Sequence, residues 1–562
     1  MTSQSLRVAV IGAGASGLTA IKCCLDEGLT PVCFERSDHI GGLWQYIEEP
    51  ASGQACIMKS TVINTSKELL CYSDFPIPAH FANCMHNSQL VQYFHMYADH
   101  FGLKQYIQHK TEVVSVTKAD DHSRTGRWDV CYRDVSSGEE RTELFDAVMA
   151  CNGYQSYPHV PDLEGLKDFQ GKVLHTNDFR TAAGFEDQRV LVVGIGNSAG
   201  DCAVDLCRVT KQVFMSTRGG SWVIQRLNES GYPMDVSTIT RLRLFLQTKC
   251  RGPWEKYSEW KLNSHYNHAM YRAQLALQPR HVQVGLNSHY NHAMYRLKPA
   301  HSLFSSQPMI NDDLPNRMLT GAIKIRDNVK RFTRTGVEFV DGTSEEVDAV
   351  ILATGYKTDF PFLSQELLKR ENKKVPLYKL LFPPDLEKDT LAVVGCLQPW
   401  GSLMPMAEMQ SRVATRVFKG LVTLPDNAAR WKDINTRYAA ASRTSISTQR
   451  YTIIVNQAFY MDELSSLIGC RPDFVALFKA DPVFAVKLWS GPVYPYSYRM
   501  FGPGQWAGAR EAINTAMDRV RAPFNTRALP EVASSKMAEM RSIMMYFFVV
   551  MAALVVFVLP AV

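Results

Sequence analysis

The chain has few of the features that mark disulfide-rich, nucleic-acid-binding or secreted proteins. Its 13 cysteines among 562 residues include no Cys-x-x-Cys pair, are odd in number and keep no regular spacing. That excludes a disulfide framework or a Cys-rich zinc site and points to a reducing compartment. Lys and Arg form no dense block and the formal net charge is only +6, so the footprint of a nucleic-acid binder is missing and small molecules are the expected partners. The first ten residues lack a basic start followed by a long apolar core, so no secretory signal peptide is expected. Low-complexity disorder is excluded as well, because 46% of residues are hydrophobic and 21% charged. At roughly 150 residues per domain the length predicts about three or four domain-sized units. The C-terminal run 543–562 (IMMYFFVVMAALVVFVLPAV) carries no charge, and Lys536, Glu539 and Arg541 stop just before it. About 20 apolar residues span a bilayer core. The run is predicted to be an anchor inserted after synthesis, with the body left in the cytosol and the flanking basic bias on that side.

What the chain does have is a pair of glycine turns. Residues 6–11 (LRVAVI) read as a strand that opens into Gly12-Ala13-Gly14-Ala15-Ser16-Gly17 and a helix through Leu25. A second strand, 31–34 (PVCF), ends at Glu35, about 20 residues beyond the glycines. In such a βαβ unit Gly12 permits the tight turn, Gly14 lets the backbone approach a pyrophosphate, and Gly17 lets helix pack on strand. The helix N-terminus favours the anion, and Glu35 would accept hydrogen bonds from a ribose diol. The plan recurs at 189–193 (RVLVV), followed by Gly194-Ile195-Gly196-Asn197-Ser198-Ala199-Gly200-Asp201 and a helix through Cys207. Ala199 takes the third-glycine place. The next strand, 212–216 (QVFMS), ends in Thr217-Arg218 instead of an acid. A carboxylate would repel a 2′-phosphate and Arg can grip it, so the first turn suits FAD and the second NADPH. Residues 145–152 (FDAVMACN) and 347–354 (VDAVILAT) are two further strands that end in small residues before Gly153 and Gly355.

Two eleven-residue segments, 262–272 and 286–296, are identical (LNSHYNHAMYR). Two copies do not make a solenoid. They bring His265, His268, His289 and His292 at H-x-x-H spacing, but duplication alone explains the histidines and no thiol or carboxylate matches the spacing, so no metal site is expected.

With the glycine turns stand Phe169-x-Gly171-x-x-x-His175-x-x-x-Phe179, Gly41-Gly42-Leu43-Trp44, Asn64-Thr65-Ser66-Lys67-Glu68 and Ala353-Thr354-Gly355-Tyr356. On these motifs the chain resembles the animal-type flavin-containing monooxygenases over nearly its whole length. Sister Baeyer-Villiger enzymes carry Trp, then Pro or Asp, where this chain has Phe179-Arg180. The resemblance implies that NADPH reduces FAD, that oxygen forms a C4a-hydroperoxyflavin, and that bound NADP⁺ shields it until a soft nucleophile attacks. It implies a catalytic role for Asn64 beside the flavin, with Gly42, Leu43, Trp44, Ile63 and Thr65 lining the FAD site. By position alone, Asn64 reads equally as a helix cap. The resemblance gives His175 a scaffold role linking two domains, against the reading of a general acid or base. Arg218 reads as a solvated strand-end charge or as the 2′-phosphate ligand, the latter favoured by its place. Asp201 either caps its helix or contacts the nicotinamide side. In the family the duplicated segment occurs once, so about 24 extra residues fall in the insertion near the substrate route.

Gly196-Asn197-Ser198-Ala199-Gly200 also fits the nucleophile elbow of hydrolases, although no HGGG-type oxyanion segment accompanies it. The expectation is therefore an α/β flavoprotein with two Rossmann-like domains, a helical insertion and a C-terminal anchor helix. Its boundaries are 1–155 and 354–465 for the FAD domain, 156–217 and 319–353 for the NADPH domain, 218–318 for the insertion, 466–540 for a helical region and 541–562 for the anchor. Its expected activity is NADPH- and O2-dependent oxygenation of nitrogen or sulfur in lipophilic small molecules. The alternatives are Baeyer-Villiger oxidation of ketones and an NADPH oxidase that makes H2O2. No nucleic acid is expected as partner. The family implies the endoplasmic reticulum membrane and leaves a homo-oligomer open.

Overall fold

Apolar residues that alternate along a buried strand feed two cores at once, and this alternation organises the protein. In the computed structural model, which describes residues 5–51, 53–228, 230–249, 292, 295, 297–299, 307–368, 374–444 and 453–527, β1 (Arg7–Ile11) points Val8 and Val10 into one core and Ala9 and Ile11 into another. It is flanked in parallel by β2 (Thr30–Phe34) and β7 (Ala147–Ala150). With β3 (Ile107–Gln108) and β20 (Leu391–Val393) they form a five-stranded sheet in the order β20-β7-β1-β2-β3. An antiparallel meander of β4 (Thr111–Lys118), β5 (Trp128–Asp134) and β6 (Glu140–Phe145) separates β3 from β7 in sequence.

The second sheet repeats the spatial plan, but the edge strand beside its returning strand comes from the start of the unit and not from the end. Its order is β14-β11-β10-β18-β9, all parallel, built from β9 (Lys172–His175), β10 (Arg189–Val193), β11 (Gln212–Ser216), β14 (Ile323–Arg326) and β18 (Ala349–Leu352). A meander of β15 (Val329–Phe332), β16 (Gly336–Phe339) and β17 (Ser344–Glu346) again precedes the strand that returns beside the first. Val190 and Val192 face one core, Leu191 and Val193 the other. The second unit is inserted between β7 and β20 of the first, with the short antiparallel pair β8 (Tyr157–Pro158) and β19 (Tyr356–Lys357) at its two ends and the parallel pair β12 (Val223–Ile224) and β13 (Met309–Ile310) between β11 and β14. The helices Phe474–Ala480, Pro482–Ser490 and Ala509–Arg521 pack onto the core of the first sheet through Leu477, Phe484 and Ile513.

Two expected strands are shorter than the sequence suggests. The run 145–152 divides because Phe145 closes β6 and the Asp146 carboxylate accepts the Arg7 backbone N–H at 2.8 Å. Val347 and Asp348 precede β18, where the Asp348 carboxylate accepts the Arg189 N–H. All twelve described cysteines are free thiols. The expected anchor at 543–562 lies outside the described residues, as does the first duplicated copy. Among the described residues no helix is long and apolar enough to cross a membrane.

Candidate functional site

Both glycine turns sit at the C-terminal ends of central parallel strands, where open α/β sheets bind their ligands. Gly12 has φ +100°, a conformation that disfavours any side chain, and its N–H donates to Phe34 O at 2.8 Å. A Cβ on Gly17 would lie 1.8 Å from Gly12 O, so helix Ala15–Asp26 meets the turn without room for a methyl group. No acid occupies the first turn of that helix and no side chain caps it, which leaves its positive end to an anion. Ala13 is fully buried and its carbonyl accepts the Gly41 N–H. The one-turn helix Gly42–Trp44 then abuts the turn, since a Cβ on Gly42 would be 3.0 Å from Gly14 Cα. Ser16 is buried against Gly395. Glu35 holds the turn itself: one carboxylate oxygen accepts the Ala13 N–H at 2.7 Å, and the other accepts the N–H and hydroxyl of Ser37.

The second turn differs in detail. Gly194 has φ +129° and a Cβ there would meet Ala353 O at 2.4 Å, whereas the space over Gly196 is open. Helix Asn197–Leu206 starts there with no acid in its first turn and no side-chain cap. Asn197 Oδ1 accepts the Ile310 N–H at 2.8 Å and so ties the turn to the end of the insertion. Ala199 is buried in the sheet-facing core, and Gly200 gives room to Met309. Ser198 is exposed in the first helical turn and makes no side-chain hydrogen bond to any described residue, so among these the nucleophile-elbow reading finds no base. Thr217 Oγ1 accepts the Gly220 N–H, while Arg218, exposed just after β11, makes no ion pair with any described residue. An exposed cation there suits a phosphate.

Asp201 does not cap its helix. It lies inside it, and its carboxylate accepts from Asn311 Nδ2 at 2.9 Å. Burial pushes its pKa up to about 6 against the pull of nearby Arg226. Because the folded value lies above the unfolded value of about 3.9, the ionised carboxylate costs stability that grows as pH rises from about 4 to 6 and is fully present above that. Asp201→Asn, which keeps the acceptor and loses the charge, is expected to stabilise the protein by about 3 kcal/mol at pH 7.5, by roughly half that at pH 5, and not at all below pH ~4. Denaturant titrations at the three pH values check this, and a gain independent of pH would refute it.

The Asn64 segment joins the first unit to the insertion. Ile63 is buried, with its N–H on Met85 O. Thr65 is half-buried beside it. Ser66, not Asn64, is the N-cap residue of the one-turn helix Lys67–Leu70. The Asn64 amide is instead engaged through Oδ1, which accepts from Arg226 Nη2 at 2.8 Å. Nothing near Asn64 in the sequence signals Arg226.

At the junction of the two units, His175 Nδ1 accepts the Asn177 N–H and its Nε2 meets Gly355 O at 3.0 Å. Burial lowers its pKa. With both ring nitrogens on backbone the neutral ring is a strut, which accords with the scaffold reading and removes the acid-base one. Three polar groups here are buried without a partner among the described residues: Asn152 Oδ1 beside the Gly12 turn, Asn177 Oδ1, and Nε and Nη2 of Arg180. Leaving such atoms unmet costs about 1–3 kcal/mol each. Together with two glycine cradles, they fit polar dinucleotides such as FAD and NADPH. Of the duplicated segment, His292 of the second copy is fully buried against Trp222, 4.9 Å between ring centroids, with Nε2 on the Val223 backbone. Among the described residues no group of His, Cys, Asp and Glu could hold a metal ion.

The family model described as "Flavin-binding monooxygenase-like" matches residues 5–284 and 274–559. The overlap of the two matches lies inside the insertion that carries the duplication. The chain is 45% identical over 94% of its length to "Flavin-containing monooxygenase 5" of Rattus norvegicus, covering 95% of that protein. It is 44% identical to "Dimethylaniline monooxygenase [N-oxide-forming] 2" of Mus musculus, over 97% of this chain and 98% of the relative. Among solved structures, S-allyl-L-cysteine S-oxygenase from Allium sativum superposes with a TM-score of 0.60 at 23% identity, over 91% of this chain and 99% of that one. That last likeness concerns the fold. Two glycine turns of opposite terminal charge, and a flavin-binding family match that spans nearly the whole chain, lead to one conclusion: this protein belongs to the flavin-containing monooxygenases.

Proposed function

We propose that the protein uses NADPH and O2 to oxygenate soft nucleophilic nitrogen or sulfur atoms of lipophilic small molecules. The observation that carries this is Asn64: its Oδ1 is occupied by Arg226, which leaves the Nδ2 hydrogens as uncharged donors. Bound FAD, reduced by NADPH, supplies the oxygen chemistry. The chain's own part is to hold and shield. The uncapped N-terminus of helix Ala15–Asp26 neutralises one pyrophosphate while Glu35 sets the ribose side. The N-terminus of helix Asn197–Leu206 receives the other, and Arg218 discriminates for a 2′-phosphate. Asn64 donates a hydrogen bond without delivering a proton, which suits a site that must keep reactive oxygen from leaving as peroxide. The mouse relative is named for N-oxide formation and the garlic enzyme for S-oxygenation, the two atom types proposed here.

The run 543–562 is proposed as the membrane anchor, with the endoplasmic reticulum as location and the body cytosolic. Rapid mixing of the NADPH-reduced protein with oxygenated buffer tests the chemistry. A long delay before oxidised-flavin absorbance returns, then cut short by a tertiary amine or a sulfide with N- or S-oxide formed, is expected. Immediate return with stoichiometric peroxide would instead identify an oxidase, and lactone formation from a ketone a Baeyer-Villiger enzyme.

A further inference from the structure

We propose that the insertion positions the Asn64 amide for the reaction, through Arg226 on its side chain and Asp235 on the backbone two residues on. This rests on the reading of Asn64 given above. The two ends of an asparagine amide are nearly the same size, so packing alone sets its orientation poorly. A guanidinium has only donors, and whichever end faces it must be the oxygen. Arg226 Nη2 at 2.8 Å from Oδ1 therefore selects the rotamer whose Nδ2 hydrogens point away from the insertion.

Arg226 is itself fixed. Its Nη1 donates to Asp312 Oδ2 at 2.6 Å and its backbone N–H to Asp312 Oδ1 at 2.9 Å, with the side chain only 13% exposed. The second grip comes from helix Met234–Thr238, where Asp235 Oδ2 accepts the Ser66 N–H at 2.6 Å. Both contacts cross from residues after β11 to a loop of the first unit. Burial pushes the Asp235 pKa up to about 6, and the Ser66 N–H is the strongest of the hydrogen bonds that pull it back. Holding a catalytic group by an outer layer of hydrogen bonds is how donors are kept aimed at developing charge. Arg226 and Asp235 are positioning residues in this scheme, and Asn64 is the catalytic one.

The test compares Asn64→Ala, Arg226→Met, Arg226→Lys and the double variant N64A/R226M, at equal flavin content, by the delay before oxidised-flavin absorbance returns after oxygen mixing. Arg226→Met is expected to shorten the delay about tenfold or more, Arg226→Lys to keep most of it by retaining a donor, and the double variant to be no worse than Asn64→Ala. A readout apart from the reaction is amide exchange: Ser66 N–H should exchange about tenfold faster in Asp235→Ala and as in the parent in Asp235→Asn, with helix Asn87–His100 unchanged. An unchanged delay in Asn64→Ala would overturn the role of Asn64 itself. A shortened delay there with none in Arg226→Met, or additive losses in the double variant, would overturn the positioning role alone. Unaltered Ser66 exchange in Asp235→Ala would remove the backbone grip.

Discussion

Gly17→Ala is expected to yield a protein that carries less than about a tenth of the flavin bound by the parent. The added Cβ would stand 1.8 Å from Gly12 O and 2.9 Å from Gly12 C, and both are backbone atoms that no rotamer change can move. To reach an ordinary contact of about 3.4 Å or more, the helix would have to retreat by well over an ångström. It cannot do so cheaply, because residues Ala15 through Cys24 are all buried and pack against helix Leu403–Phe418. Overpacking of this kind costs about 1–3 kcal/mol even where neighbours yield. Here the yielding neighbour is the turn at φ +100° that is to receive the pyrophosphate. Absorbance of the purified protein reads the outcome directly. Gly28→Ala is the control: its φ of +69° adds a backbone penalty that helical Gly17 does not carry, yet a Cβ there meets nothing within 4 Å, so flavin content should stay near that of the parent. Parent-like flavin content in Gly17→Ala would show that the close helix-strand contact is not what shapes the site.

The parts of this protein that could be read from its sequence are those whose cause is local. A strand, a glycine turn and a helix lie within one short stretch, and β10 and β11 fall on the residues expected, 189–193 and 212–216. The strands that complete each sheet were less legible. β9 is an edge strand with the burial of only one of its four residues complete, so it carries almost no apolar signal, and its partner β18 lies far along the chain. The same holds for the site. Glu35 and Arg218 are announced by their distance from the glycines, whereas Arg226 and Asp235 reach Asn64 and Ser66 across 162 and 169 residues and leave no periodic trace. Asp201 shows the limit from the other side: its place in the sequence leaves a cap and a contact on the nicotinamide side equally open, and only the fold shows it half-buried within the helix on Asn311.

Arg499→Met should destabilise the protein by about 3–5 kcal/mol at pH 7.5, the range for removing one member of a buried ion pair. Arg499 is 2% exposed, and its Nη2 lies 2.6 Å from Glu408 Oε1 and 2.8 Å from Asp74 Oδ2, while its Nε donates to Ser73 Oγ. Lys22, on the helix that begins at the first glycine turn, closes the cluster at Asp74. Burial alone would raise the Asp74 pKa, and Arg499 followed by Lys22 holds it below its usual value. Methionine fills much the same volume but removes the one cation in contact with both buried carboxylates, leaving Lys22 on Asp74 and the more distant Arg412. In the variant the largest pull that keeps the Asp74 carboxyl low is gone, and burial raises its pKa in the folded state. Its folded pKa then exceeds the unfolded value, so the deficit is largest above that pKa and shrinks as pH falls through it. The gap between parent and variant in denaturant unfolding should therefore be clearly narrower at pH 5.5 than at pH 7.5. A gap that does not change with pH would assign the loss to packing instead. The arrangement carries a consequence for the site: the helix that presents its N-terminus to the first dinucleotide is held at Lys22 by a charge cluster whose central cation comes from the C-terminal segment. Flavin binding in Arg499→Met should accordingly weaken along with stability, although Arg499 lies outside the glycine turn.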